Sequence, residues 1–359
     1  MPIVPPKTKG SRKLGDSGAK AAPPSLCHAV REGRRSHKRV RLTEIRGFRI
    51  ARSAAEKGEK MAELAIATSG LTKSYGGTRV VDNVKLRVPE GSVYGFLGPN
   101  GAGKSTTMKM ILGLVRPTDG RVDVLGEHME RKSRLEVLAH VGSLIESPSC
   151  YRHLTARENL DVVRRLKGLP ASAVDEALET VGLANTGKKL AGQFSLGMKQ
   201  RLGLAVALLG NPRLVLLDEP TNGLDPEGIH EMRALVRALP QTHGTTVLVS
   251  SHLLAEVEQM ADHVGIISRG QMVWQGPLER LRARARRQLA FRTTDDARAA
   301  ALLGATAQDG WLFAPFAGDE AVARSSLALA RAGIGIVRIE ERSESIEDLF
   351  LALTEGRGL

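Results

Sequence analysis

Residues 96–106 read FLGPNGAGKST, a full match to G-x-x-x-x-G-K-[ST] with Gly98, Gly103, Lys104 and Ser105 at the fixed positions. The flanks constrain the fold as much as the motif does. A short apolar stretch (93–97) leads in, and Met108, Ile111 and Leu112 recur on one helical face behind it. Strand, glycine-rich loop and helix in that order form the context in which such a loop holds phosphate. Glycines let backbone N–H groups turn inward around an anion, and the start of the helix adds the positive end of its dipole. The expected cradle is Gly98, Pro99, Asn100, Gly101, Ala102, Gly103, Lys104, Ser105 and Thr106. Lys104 is expected on the β- and γ-phosphates and the Ser105 hydroxyl on Mg²⁺. An α/β chain that binds a nucleoside triphosphate follows.

Downstream, residues 213–217 (RLVLL) form the unbroken apolar run of a parallel strand buried on both faces. It ends in Asp218-Glu219-Pro220. The carboxyl ends of such strands are where α/β sheets bind ligands. Asp218 is therefore expected to hold the metal, and Glu219 to polarise the attacking water as general base. Taken alone, two acids after an apolar run read equally well as a solvated strand end.

Two further segments bear on that choice. FSLGMKQR at 194–201 opens a helix running to about Leu209, where Gly210-Asn211-Pro212 stops it. Residues 246–250 read as another buried strand with His252 at its end. The set resembles the ATP-binding subunit of an ABC transporter, over about 64–281 and with the motifs in family order. The resemblance implies a P-loop ABC cassette: a mostly parallel core sheet, an antiparallel β part and a helical subdomain at about 145–210. It implies ATP and Mg²⁺ as cofactors. Tyr75 resembles the aromatic that stacks on adenine. Residues 194–198 are similar to the LSGGQ signature, with Phe for Leu, Leu for the first Gly and Met for Gln. Ser195 and Gly197, the γ-phosphate contacts, are kept. Residues 222–225 resemble the D-loop, with Asp225 at its end, and His252 resembles the switch histidine.

One position departs from the pattern. After HVGSL (140–144) the family usually places a Gln that links metal and attacking water to the membrane subunit, and this chain has Glu146. With SPSCYRHLTARENL behind it and SLGMKQRL in the signature, the chain is similar to the bacitracin-resistance and lantibiotic-immunity branch of exporters. A carboxylate keeps an oxygen for the metal and adds a charge near the γ-phosphate. Glu146 is thus expected at the metal and in catalysis; as a plain loop carboxylate it would have neither part.

Charge is spread unevenly. Residues 1–60 carry 16 Lys+Arg against 5 Asp+Glu, and the remaining chain 36 against 34. The basic character belongs to the leader, which argues against a nucleic-acid-binding body. The leader is rich in Pro, Gly, Ser and Arg without apolar period and reads as disordered. Met61 opens MAELAIATSGLTKSYGG in the manner of such an ATPase, so 1–60 reads either as an untranslated extension or as a basic arm on anionic lipid. No run of about 20 apolar residues is present to span a membrane. Cys27 and Cys150 have no metal or disulfide spacing, which suits a reducing cytoplasm.

The length of 359 residues allows two or three domains. Between phosphate loop and signature, Leu160, Val163 and Leu166, then Val174, Ala177, Leu178 and Val181, recur at helical spacing and read mostly as core. After Leu281 a basic helix (LRARARRQ) is expected to lead into a small C-terminal α+β module over 282–359. Its expected elements are strand 289–293, helix 296–303, strand 311–316, helix 319–332 and strand 334–340, a split-βαβ sandwich closed by SIEDLFLALT. The module is expected to be accessory or dimer-stabilising. The resemblance implies a soluble ATPase on the cytoplasmic face of the plasma membrane, partnered by an integral-membrane permease and a second ATPase subunit, head to tail. The alternative is a non-transport ABC ATPase working on ribosomes or DNA. It is disfavoured by a single cassette and by the lack of a heptad insertion.

Overall fold

The computed structural model describes residues 63–130, 132–146, 149–284, 287–343 and 345–355. The leader expected at 1–60 lies outside the described residues.

The apolar runs of the sequence become the centre of a six-stranded sheet. In spatial order its strands are Gln271–Pro277, His263–Ser268, Val93–Leu97, Thr246–Ser251, Leu214–Asp218 and Val141–Leu144. Neighbours run parallel except the first pair. Successive side chains on each strand enter different cores. Val93, Val215, Leu217, Val247 and Val249 face one, while Tyr94, Phe96, Leu214, Leu216 and Leu248 face the other. Burial on both faces is why these strands show no polar alternation. The register aligns Leu97 with Ser251, and Asp218 with Ser250. The carboxyl ends therefore form one rim, from which the phosphate loop, the Asp218-Glu219 pair and His252 all emerge.

Each core has its own cover. An antiparallel sheet built around Leu64–Tyr75 and Asp119–Val124, together with the helix Lys104–Ile111, closes the second. The helices Ala156–Lys167, Ser172–Thr180 and Leu196–Leu208 share the first through Leu160, Val174, Leu178 and Leu202. Thr155 and Glu158 form a reciprocal cap at the start of Ala156–Lys167. The sequence reading of that helix needs one correction. Leu166, expected in the core stripe, is 83% exposed, whereas Leu160 is fully buried. Six residues at 3.6 per turn place it about 120° round the helix from Leu160. Ala156, Asn159 and Leu160 form the buried line instead.

The C-terminal strands Arg287–Thr293, Thr306–Gln308, Trp311–Pro315 and Ile336–Ser343 make a separate sheet, with every pair antiparallel. The helices Asp296–Leu303 and Asp319–Arg331 complete a split-βαβ pattern. Thr306–Gln308 escapes the sequence reading because its three residues are all exposed and carry no apolar alternation. The expected basic helix is also shorter. It stops at Arg282 once Leu278 and Leu281 are buried, and Arg287 and Gln288 already belong to a strand. Leu289 and Phe291 enter the module core at a spacing of two, and that alternation overrides the helical propensity of the arginines.

The closing helix Ile346–Glu355 leaves this module. Phe350 packs with Leu97, Leu254, Val257, Val264 and Ile266, and Ser268 Oγ donates to the Thr354 carbonyl at 3.0 Å. This helix thus braces strand His263–Ser268, beside the phosphate-loop strand.

Candidate nucleotide site

The phosphate loop leaves its strand at Gly98, where a Cβ would lie 2.3 Å from the Ile267 carbonyl oxygen. At Gly103, the cap of the following helix, φ is 104° and a Cβ would come within 2.8 Å of the Val80 carbonyl oxygen. Only glycine fits either place. Lys104, the first helical residue, is 6% exposed. Its Nζ donates to the carbonyls of Gly98 at 2.7 Å and Pro99 at 3.4 Å and lies 3.3 Å from Glu219 Oε1. A buried ammonium needs such compensation.

Glu219 stands at φ 50°, a left-handed conformation uncommon for a side chain of its size. Its Oε2 is 2.8 Å from His252 Nδ1, so Lys104, Glu219 and His252 form one connected chain. Ser250 holds the base of this arrangement. Its Oγ donates to Asp218 Oδ1 at 2.5 Å and accepts from the Glu219 backbone N–H at 2.9 Å. A cavity of about 370 Å³ opens above, lined by Asn100, Gly101, Gly103, Lys104, Ser105, Thr106, Glu219 and His252 with Val80 and Asn222.

Gly98, Pro99, Ala102 and Asp218 belong to the same loop and strand end without lining the cavity, and the remaining expected site residues lie apart from it. Ser195, Gly197 and Asp225 line a second groove of about 440 Å³, which has no residue in common with the first. Ser195 caps the signature helix by accepting from the Met198 N–H at 3.3 Å. Asp225 caps the helix Pro226–His243 by accepting from the Gly228 N–H at 3.0 Å. Tyr75 is half exposed, with Lys73 Nζ 4.8 Å from its ring centroid, and does not line the cavity. Glu146 does not line it either. Its Oε1 lies 2.5 Å from Lys109 Nζ, an ion pair that holds its carboxyl below the usual carboxylate range.

Sequence reasoning missed two supports. Ser250 was legible only as the end of an apolar strand. Glu256 is a buried carboxylate whose Oε2 accepts from Thr221 Oγ1 at 2.7 Å and Ser251 Oγ at 3.0 Å. It thereby ties the segment after Glu219 to the residue before His252. Nothing in SHLLAEVE marks it apart from its neighbour Glu258. Glu256→Ala should destabilise the fold by about 1–3 kcal/mol, since the Thr221 hydroxyl loses its acceptor in a dry place and Ser251 keeps only the longer bond to the Leu253 carbonyl. Urea unfolding should show a lower midpoint at unchanged slope. A wild-type midpoint would mean the network contributes nothing.

The geometry is a phosphate loop, a carboxylate pair and a histidine on one sheet rim. Comparison with known proteins agrees. A family profile described as "ABC transporter" matches residues 81–222. The chain is 43% identical over 300 residues to the bacitracin transport ATP-binding protein BcrA of Bacillus licheniformis, covering 81% of this chain and 97% of that one. It is 45% identical over 203 residues to the lantibiotic transport ATP-binding protein SrtF of Streptococcus pyogenes, covering 56% and 86%. Among solved structures, cbiO1 of Clostridium perfringens, part of the transporter complex cbiONQ, superimposes with a TM-score of 0.57 at 25% identity, over 62% of this chain and 91% of that one. Relatives matched nearly end to end and a cassette fold with its phosphate loop in place have one meaning: the chain belongs to the ABC transporter ATP-binding proteins and is an ATPase.

Proposed function

We propose that this chain drives the export of a peptide antibiotic of the bacitracin or lantibiotic kind by hydrolysing ATP at two sites shared between two copies. A separate integral-membrane permease carries the cargo, and the ATPase works on the inner face of the plasma membrane. The cargo class rests on the relatives named for bacitracin and lantibiotic transport. One observation carries the shared site: the Lys104 cavity and the groove with Ser195, Gly197 and Asp225 have no lining residue in common. Each copy holds two unlike halves, and head-to-tail pairing joins each half to its complement.

In this reading the loop N–H groups and Lys104 bind the phosphates, and Tyr75 stacks on the base. Ser195 and Gly197 close on the γ-phosphate from the opposite copy. Glu219 accepts the proton of the attacking water, and His252 holds Glu219 in place through Nδ1. The donor set of Ser105 and Asp218 suits Mg²⁺, which keeps several waters and takes one or two carboxylates beside substrate phosphates. Bound there, Mg²⁺ would neutralise charge on the β- and γ-phosphates. Ser250 fixes Asp218 for that task, and Glu146 approaches from the neighbouring strand end.

Mixing two damaged chains tests the sharing. A Ser195→Arg chain and a Lys104→Ala chain, each inactive alone, should recover part of the ATPase activity when mixed. In the mixed dimer one site collects both lesions and the other has neither. Activity that never rises above the two separate preparations would rule the shared site out.

A further inference from the structure

We propose that Lys109 is the built-in counter-ion of Glu146, making the pair an overall neutral replacement for an uncharged side chain beside the nucleotide's metal. The inference rests on the proposed place of Glu146 near that metal.

Three observations converge on it. Lys109 Nζ lies 2.5 Å from Glu146 Oε1, although the residues are 37 apart in the chain. Lys109 sits on the helix Lys104–Ile111, four residues after Ser105, so both point along the same helical face. Glu146 follows the strand Val141–Leu144, which pairs in parallel with Leu214–Asp218, Leu144 standing opposite Leu217. The chain therefore leaves the rim next to Asp218.

Backbone geometry adds a constraint. Glu146 has φ 66°, a left-handed conformation uncommon for a non-glycine residue without a local reason. Its backbone turns there while its carboxylate meets the Lys109 ammonium. The side chains of Lys109 and Glu146 are 31% and 68% exposed, and pairs this open contribute little to folding. Stability therefore does not account for the arrangement. Charge near the metal does. A glutamate of glutamine's size brings one negative charge to the approach of a triphosphate, and a lysine anchored one turn beyond the metal-binding serine cancels it.

The test is a charge-swap cycle read on metal binding. Mg²⁺ is titrated by calorimetry into the full-length protein with a non-hydrolysable ATP analogue, for wild type, Glu146→Gln, Lys109→Gln and the double variant. Glu146→Gln leaves a net positive charge and should weaken Mg²⁺ binding about three- to tenfold, and Lys109→Gln should tighten it by a similar factor. The double variant should return to within about twofold of wild type. All differences should shrink at high ionic strength. Should Glu146→Gln shift the affinity while Lys109→Gln does not, Glu146 is near the metal and Lys109 is no counter-ion. Four indistinguishable titrations would place Glu146 away from the metal, overturning this inference together with the role given to Glu146 above.

Discussion

Replacing Glu219 by Gln should leave ATP binding intact and lower turnover about 10²- to 10⁴-fold, the usual consequence of removing a general base. The substitution is nearly isosteric, so the 2.8 Å contact to His252 Nδ1 can persist with the amide oxygen as acceptor. Ser250 still receives the backbone N–H of residue 219, because that bond does not involve the side chain. What disappears is a carboxylate able to take a proton. Lys104 also loses a charged neighbour at 3.3 Å, which leaves its ammonium freer for phosphate. ATP should therefore be held at least as tightly, and dimers that close on ATP should accumulate. The readouts are nucleotide binding by calorimetry, dimer content by size exclusion with ATP, and phosphate release in membranes that contain the permease. Cells relying on this chain for tolerance to a peptide antibiotic should become sensitive. Wild-type phosphate release would remove Glu219 from the base position.

Much of this machinery was legible because it lies in local runs of sequence. Gly98 and Gly103 sit where a Cβ would strike Ile267 or Val80, so the spacing of the glycines is itself a record of the fold. The strand ending in Asp218 showed as four apolar residues in a row, Leu214 to Leu217, and both of its faces are buried. Contacts between distant segments were not legible. Ser250 touching Asp218, Glu256 bridging Thr221 and Ser251, and Lys109 meeting Glu146 depend on strand order and helix placement. Single polar residues in apolar or charged stretches carry no periodic signal for that. Leu166 shows the opposite error: a repeat of three looks helical but rotates away from the core with each step. The closing helix misleads for a related reason. In SIEDLFLALT nothing local says that Phe350 meets Leu254 and Val257 rather than the module before it.

Lys104→Ala should differ from the Glu219 variant by losing binding as well as turnover. A charge-assisted hydrogen bond contributes about 1.5–3 kcal/mol, so nucleotide affinity should fall about ten- to a hundredfold. Turnover should drop further, by a total of about 10²- to 10³-fold or more, because charge builds on the phosphates as the transition state forms. Among the described residues that line the cavity, Lys104 is the one lysine or arginine. Lys104 is the buried cation that reaches Glu219 while anchored to the carbonyls of Gly98 and Pro99. With alanine the loop also loses the donor to those carbonyls, which loosens the cradle as well. Lys104→Arg separates the two causes. It keeps a positive charge and donors, yet its larger planar head does not fit the place of a compact ammonium. If the point charge on the phosphates is what matters, arginine should recover more binding than turnover, and calorimetry beside phosphate release will show the split. Unchanged affinity in Lys104→Ala would mean that the phosphates lie elsewhere than above this loop.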